Sequence, residues 1–126
     1  MKMMLLPIIV IIVVLLLATF SLIFLYGSTN QLSKFVDTAA RLSDEGNFEE
    51  SKKQIDLFKS KYKKYEKIYS IVIRHAELDE IRILSERVSE LNTPNTKEDF
   101  LAESSALTDM LLHLYKSERI SLENIL

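Results

Sequence analysis

Two groups of side chains have types and spacing that suggest chemistry. The first is His75, Glu77, Asp79 and Glu80. On a helix, His75 and Asp79 share one face four residues apart, and an imidazole with a carboxylate can ligate a metal. Two ligands make a weak site. The same acids also suit the first turn of a helix, where the dipole favours negative charge. Capping is therefore the expectation, with no resident metal and no cofactor. The second group is the run from Lys52 to Lys67. Its lysines (52, 53, 59, 61, 63, 64 and 67) outnumber Asp56 and Glu66, and Tyr62, Tyr65 and Tyr69 are interleaved. Each Lys near an anionic surface contributes about 1 kcal/mol of attraction. Tyr26, Lys63, Lys64, Tyr65, Lys67 and Tyr69 are thus candidates for a membrane interface. The competing arrangement is a solvated lysine face with the tyrosine rings in a core. His113 lies beside Leu111 and Leu114 with no evident partner. No Ser-His-Asp set or carboxylate pair is discernible, so no catalytic activity is expected.

The composition narrows the classes further. The chain has 126 residues, enough for one domain. Its 16 basic and 18 acidic residues give a net charge of -2, unlike the basic excess of a nucleic-acid-binding domain. There is no Cys, which excludes a disulfide scaffold, a thiolate metal site and a thiol nucleophile. Two Gly in the whole chain leave no glycine-rich phosphate loop.

The positioning elements start with a membrane anchor. Met3 to Tyr26 contains no charged residue. As a helix this run is about 36 Å long, against about 30 Å of bilayer hydrocarbon. Pro7 falls in the first turn, where its missing N–H costs little. A cleaved signal peptide has a shorter apolar core and small residues before its cleavage site. The best cleavage candidate, Leu25-Tyr26-Gly27, has a large residue at the −3 position, so residues 1–26 are expected to remain as the anchor. The positive-inside rule weighs Lys2 and the α-amine against Lys34 and Arg41, offset by Asp37. A short basic N-tail favours a cytoplasmic N-terminus, with residues 27–126 forming an extracytoplasmic α-helical domain.

Beyond Tyr26 the apolar residues recur at three-four spacing. Leu32, Phe35, Val36, Ala39 and Leu42 continue the anchor helix, with Gly27-Ser28-Thr29-Asn30 as a soft joint. Asn47 caps a second helix carrying Phe48, Ile55, Phe58, Tyr62, Tyr65, Tyr69 and Val72, with Glu50 at the capping-box position. A third helix carries Leu78, Ile81, Leu84, Val88 and Leu91, and no Gly or Pro marks its boundary near Arg74–Glu77. Thr96 caps a fourth helix carrying Phe100, Leu107, Leu111 and Leu114, interrupted by Ser104. Ser121–Leu126 forms a short tail with docking apolar residues. The fold class is all-α: a transmembrane helix continuing into an antiparallel bundle of about four helices, arranged as two helical hairpins. Tetratricopeptide-type packing of the hairpins is a less favoured alternative.

Three segments also resemble a family. Gly46-Asn47-Phe48-Glu49-Glu50-Ser51-Lys52, His75-Ala76-Glu77-Leu78-Asp79-Glu80-Ile81 and Ser121-Leu122-Glu123-Asn124-Ile125-Leu126, behind an N-terminal anchor, are similar to the domain of unknown function numbered 4363. The resemblance covers nearly the whole chain. It implies a small helical single-span membrane protein of Gram-positive bacteria and supplies no catalytic residues. The expected role is a membrane-anchored interaction module whose partners are the bilayer and a membrane or envelope protein, or a second copy. The alternative is an extracytoplasmic small-molecule or metal sensor acting through a partner protein.

Overall fold

The computed structural model describes residues 2–125, with side chains for residues 3–124. The α-amine and Lys2 side chain invoked for orientation lie outside the described residues, as do the side chains of Ile125 and Leu126 expected to dock. The described chain forms α1 (Lys2–Asp44), α2 (Phe48–Val72), α3 (His75–Leu91), a 3₁₀ turn (Pro94–Thr96) and α4 (Lys97–Ile125).

Helix α1 is 43 residues long and crosses Gly27–Asn30 without a break, so the soft joint is not present. The hydroxyls that would loosen it are turned back on the helix. Ser28 Oγ donates to the Phe24 carbonyl at 2.7 Å, and Thr29 Oγ1 donates to the Leu25 carbonyl at 2.6 Å. Leu25, Leu32, Val36 and Ala39 then clamp the same stretch in the core. The helix ends where predicted, at Gly46. That residue takes φ +87°, its N–H donates to Ser43, and the Asn47 N–H reaches back to Leu42 at 2.8 Å. These bonds form a Schellman cap, and the left-handed residue at its centre favours Gly.

Asn47 caps α2 as expected, its side chain accepting from the Glu50 N–H. Helices α2 and α3 are separate. Ile73 and Arg74 are both extended, and the Ile73 side chain is drawn into the core. Burial of that one apolar side chain marks the corner, in place of a Gly or Pro signal. Thr96 does not serve as the expected cap. Pro94 starts a 3₁₀ turn that directs the Thr96 hydroxyl back to the Leu91 carbonyl at 2.7 Å. The separate C-terminal tail is also absent, because no helix breaker follows Lys97 and α4 runs on to Ile125.

The four helices alternate in direction and close into a ring. Ser51 Oγ on α2 donates to the Ala39 carbonyl on α1 at 2.7 Å. Tyr62 Oη on α2 donates to the Leu78 carbonyl on α3 at 3.2 Å. Arg87 on α3 pairs with Glu103 on α4 at 3.6 Å, and Lys97 on α4 pairs with Asp44 on α1 at 3.3 Å. Because α4 returns to α1, the two helical hairpins close into the expected antiparallel four-helix bundle and do not stack in the tetratricopeptide manner. The core is built from Leu25, Phe58, Tyr69, Ile81, Phe100 and Leu111 and their neighbours.

This geometry moves the start of the packed unit. The boundary expected between Tyr26 and Gly27 matches no structural break, since Leu25 is fully buried in the bundle core and Phe24 packs against it. The bare part of α1 ends near Leu17. From there α2 and α4 flank it, with Ala18 and Leu22 beside Leu122 of α4, and Phe20 and Ser21 beside Ile71 and Val72 of α2.

Candidate functional site

The bundle end nearest the apolar segment collects most of the residues singled out by the sequence. Helix α2 has 25 residues, about 37 Å, whereas α1 from Tyr26 to Asp44 covers only about 27 Å. Running antiparallel, α2 must therefore pass Tyr26 by about 10 Å towards the apolar segment. Lys63, Lys64 and Lys67 are all exposed on α2; Lys67 lies nearest this end, while Lys63 and Lys64 precede Tyr65, which bonds Gln31, and so sit on the bundle side of Tyr26.

The tyrosines behave differently from the lysines. Tyr69 is fully buried, so it is not an interfacial side chain. Its hydroxyl donates to Ser28 Oγ, and its ring meets Phe24 edge-on at 6.0 Å. Tyr65 is half-buried, donates to Gln31 Oε1 and also meets Phe24 edge-on at 5.6 Å. Both rings sit on the α1-facing side because helical spacing from Phe58 and Tyr62 continues the core stripe. Burial pushes the Tyr62 and Tyr69 phenols well above the ordinary tyrosine range; Glu66 adds to the effect at Tyr62, and the Ser28 hydrogen bond opposes it at Tyr69. Tyr26 is exposed and meets Tyr115 of α4 edge-on at 5.2 Å, while the Arg119 guanidinium lies 5.9 Å from the Tyr115 ring centre.

Tyr115, Lys116, Arg119, Arg74 and the exposed Ile120 join this end without having been picked out from the sequence, next to the exposed Ile71 at the end of α2. Arg119 and Lys116 lie about ninety positions along the chain from Tyr26. Only the antiparallel return of α4 brings them level with it. One signal was legible, the exposed Ile71 and Ile120 falling off the apolar stripes of their own helices.

His75 and Asp79 occupy exposed positions at the start of α3; of the acids only Glu77 falls in the first turn, and Arg74 holds the N-cap position with no side-chain capping hydrogen bond. Asp79 is paired with Arg82 at 3.3 Å. Among the described residues no group of three or more His, Asp or Glu side chains is placed to hold a metal together. Glu118 lines a groove of about 450 Å³ between α1, α2 and α4 whose other walls are apolar apart from Ser21; burial raises its carboxyl above the usual range, and Glu77 adds to the effect. A second groove, of about 400 Å³, lies between α2 and α3. It is crossed by ion pairs of Lys59 with Glu86 at 3.1 Å and of Arg82 with Glu66 at 2.7 Å.

A family model described as Domain of unknown function (DUF4363) matches residues 19–125. The chain belongs to this family. The DUF4363 match begins at Thr19, level with the end of the bundle and inside the uncharged run. No curated protein and no solved structure matches the chain.

Proposed function

We propose that this DUF4363 protein is a single-span membrane protein whose bundle acts as an interaction module on the extracytoplasmic side. Its partner is another membrane or envelope protein, or a second copy. The observation that carries the reading is the shared helix. Residues 3–17 are exposed and apolar, α1 is long and apolar enough to cross a membrane, and the same helix supplies Leu25 to the bundle core. A cut before Gly27 would remove Phe24 and Leu25 from that core, which supports an uncleaved anchor. The reading assigns the bundle no catalytic step.

Opposite charge on α2 and α3 supports a binding role. Residues 75–91 carry five acids against two arginines, while the lysine run gives α2 the opposite sign. Segregated charge of this kind selects partners and their orientation more than it adds affinity. Orientation rests on the short basic N-tail. Lys67, Arg74, Lys116 and Arg119 lie beyond the about 15–20 residues from a span over which the positive-inside rule counts.

Crosslinking in native membranes tests the module. Recovery of a discrete protein adduct is the expected result, and recovery of monomer and lipid alone would contradict it. Protease added to intact cells should digest the bundle; protection would place it on the opposite side. The groove between α2 and α3 favours a second reading, a small-molecule sensor acting through a partner protein. Its lining mixes Lys59, Lys63 and Arg82 with Glu66 and Glu86, and a polar ligand would compete with the ion pairs that cross it. A small molecule that stays with the purified folded protein would favour the sensor.

A further inference from the structure

The bare part of α1 is too short for a bilayer. Met3 to Leu17 spans about 22 Å as a helix, against about 30 Å of hydrocarbon. Twenty residues from Met3 reach Leu22, about 30 Å along the axis. Leu22 is already flanked by α4, beside Arg119 and Leu122, and the adjacent Ser21 and Phe20 sit beside Ile71 and Val72 of α2. The hydrocarbon boundary therefore falls on the end of the bundle and not below it.

The side chains at this level suit that position. Ile71 is 81% exposed, and Ile68, Val72, Phe20, Ile23 and Ile120 are exposed as well. They come from three helices and continue the apolar surface of α1 outward onto α2 and α4. Exposed Lys67, Arg74, Lys116 and Arg119 share this end with Glu77, Glu118 and Glu123, Arg119 lying 3.8 Å from Glu123. Long cationic side chains lay their stems along apolar surface and carry their charge to the phosphate level. Tyr26 and Tyr115 pair about four residues above Leu22, in the zone where aromatic rings concentrate at membrane interfaces.

We infer that the end of the bundle is a collar seated in the bilayer interface, with Ile68, Ile71, Val72 and Ile120 in the acyl boundary and Lys67, Arg74, Lys116 and Arg119 on anionic phospholipid headgroups. The inference rests on α1 being a membrane span. The apolar surface meets the lipid as a continuation of the span and carries the seating, and Lys67, Arg74 and Lys116, none of which is ion-paired among the described residues, add contacts to an anionic leaflet beside the Arg119–Glu123 pair. Arg74 limits the depth, because its guanidinium must still reach the phosphates from the α2–α3 corner. The collar fixes the height of the bundle as well as its attachment, so the lysine run above it projects along the membrane normal at a set distance.

The chain has no Trp, so single introduced tryptophans report position without background. Full-length I11W, I71W and L57W proteins are reconstituted in vesicles of phosphatidylcholine and phosphatidylglycerol, with or without bromine on the acyl chains near the headgroup. Leu57 is about 21 Å further from the span than Ile71 along α2. I71W should lose at least half its emission to the brominated lipid and resist aqueous iodide, and L57W should show the reverse. I11W, read with bromine near the chain ends, reports the span itself. Quenching of I11W together with I71W behaving like L57W would overturn the collar and leave the span intact. An I11W open to iodide would overturn both. In the I71W background, adding Lys67→Glu and Arg119→Glu should lower quenching in the anionic vesicles and leave it unchanged in pure phosphatidylcholine. An equal effect in both lipids would refute the headgroup contacts.

Discussion

Replacing Leu25 by Ala should unfold the bundle at a much lower temperature, although Leu25 lies within the uncharged run that resembles a leader. Leu25 is completely buried in the core, between positions occupied by α2 and α4. Truncating a fully buried Leu costs about 2–5 kcal/mol, the transfer term plus the cavity left behind. For a domain of this size, 1 kcal/mol moves Tm by roughly 4 °C, so a mid-range loss of about 3 kcal/mol shifts it by about 12 °C. Ile9 is the control. It belongs to the same helix and has the same apolar character, but it is half-exposed below the bundle. Ile9→Ala should leave Tm within about 2 °C, because no bundle cavity forms. The assay is near-ultraviolet circular dichroism of the full chain in micelles, where the buried tyrosines report tertiary packing and not helix content. Equal Tm values for L25A and I9A would refute the claim that the folded unit starts inside the apolar segment.

Four other expectations follow from individual contacts. Tyr69→Phe should cost only about 1 kcal/mol, because Ser28 Oγ keeps its bond to the Phe24 carbonyl when the phenol is lost; denaturant titration gives the value. Ser104 is buried and its hydroxyl has no partner among the described residues, so Ser104→Ala should be neutral or stabilising by up to about 1 kcal/mol in the same titration. The buried Tyr62 and Tyr69 phenols have folded pKa values above their unfolded value of 10.0, so the stability they contribute is complete below that pH and is lost as pH rises past it. Their phenolate absorbance should appear together with loss of the near-ultraviolet signal, and gradual ionisation in a folded protein would contradict this. Glu118 also has a raised folded pKa, from burial and then Glu77. Its penalty is absent below its unfolded pKa and grows as pH rises through the folded value, so Glu118→Gln should raise Tm at neutral pH and not in acid.

Helix content was legible because the apolar residues from Leu32 to Leu114 keep one period throughout, and the Gly46-Asn47 pair names its own cap. The α2–α3 corner was hard to place. It depends on Ile73 entering the core, a tertiary event with no local mark. Thr96 misled because a Thr followed three residues later by an acid fits a capping box, and the pattern cannot show that Pro94 has already tightened the turn. Of the interface candidates, the exposure of Tyr26 and of the lysines, and the nearness of Lys67 to the apolar segment, were readable from helical spacing and the antiparallel return of α2. Tyr65 and Tyr69 were ambiguous, since a tyrosine at core spacing and one at a membrane boundary look alike until Phe24 supplies the partner. Tyr115, Lys116 and Arg119 needed the fold, because the antiparallel return of α4 brings them to Tyr26 from far along the chain.

The central claim is that the uncharged helix stays in the membrane as part of the folded protein. Alkali-washed membranes from cells making the natural protein, followed by mass determination of its N-terminal peptide, test this directly. The protein should remain with the lipid and retain residues before Gly27. A folded, water-soluble species beginning at Gly27 would contradict the account.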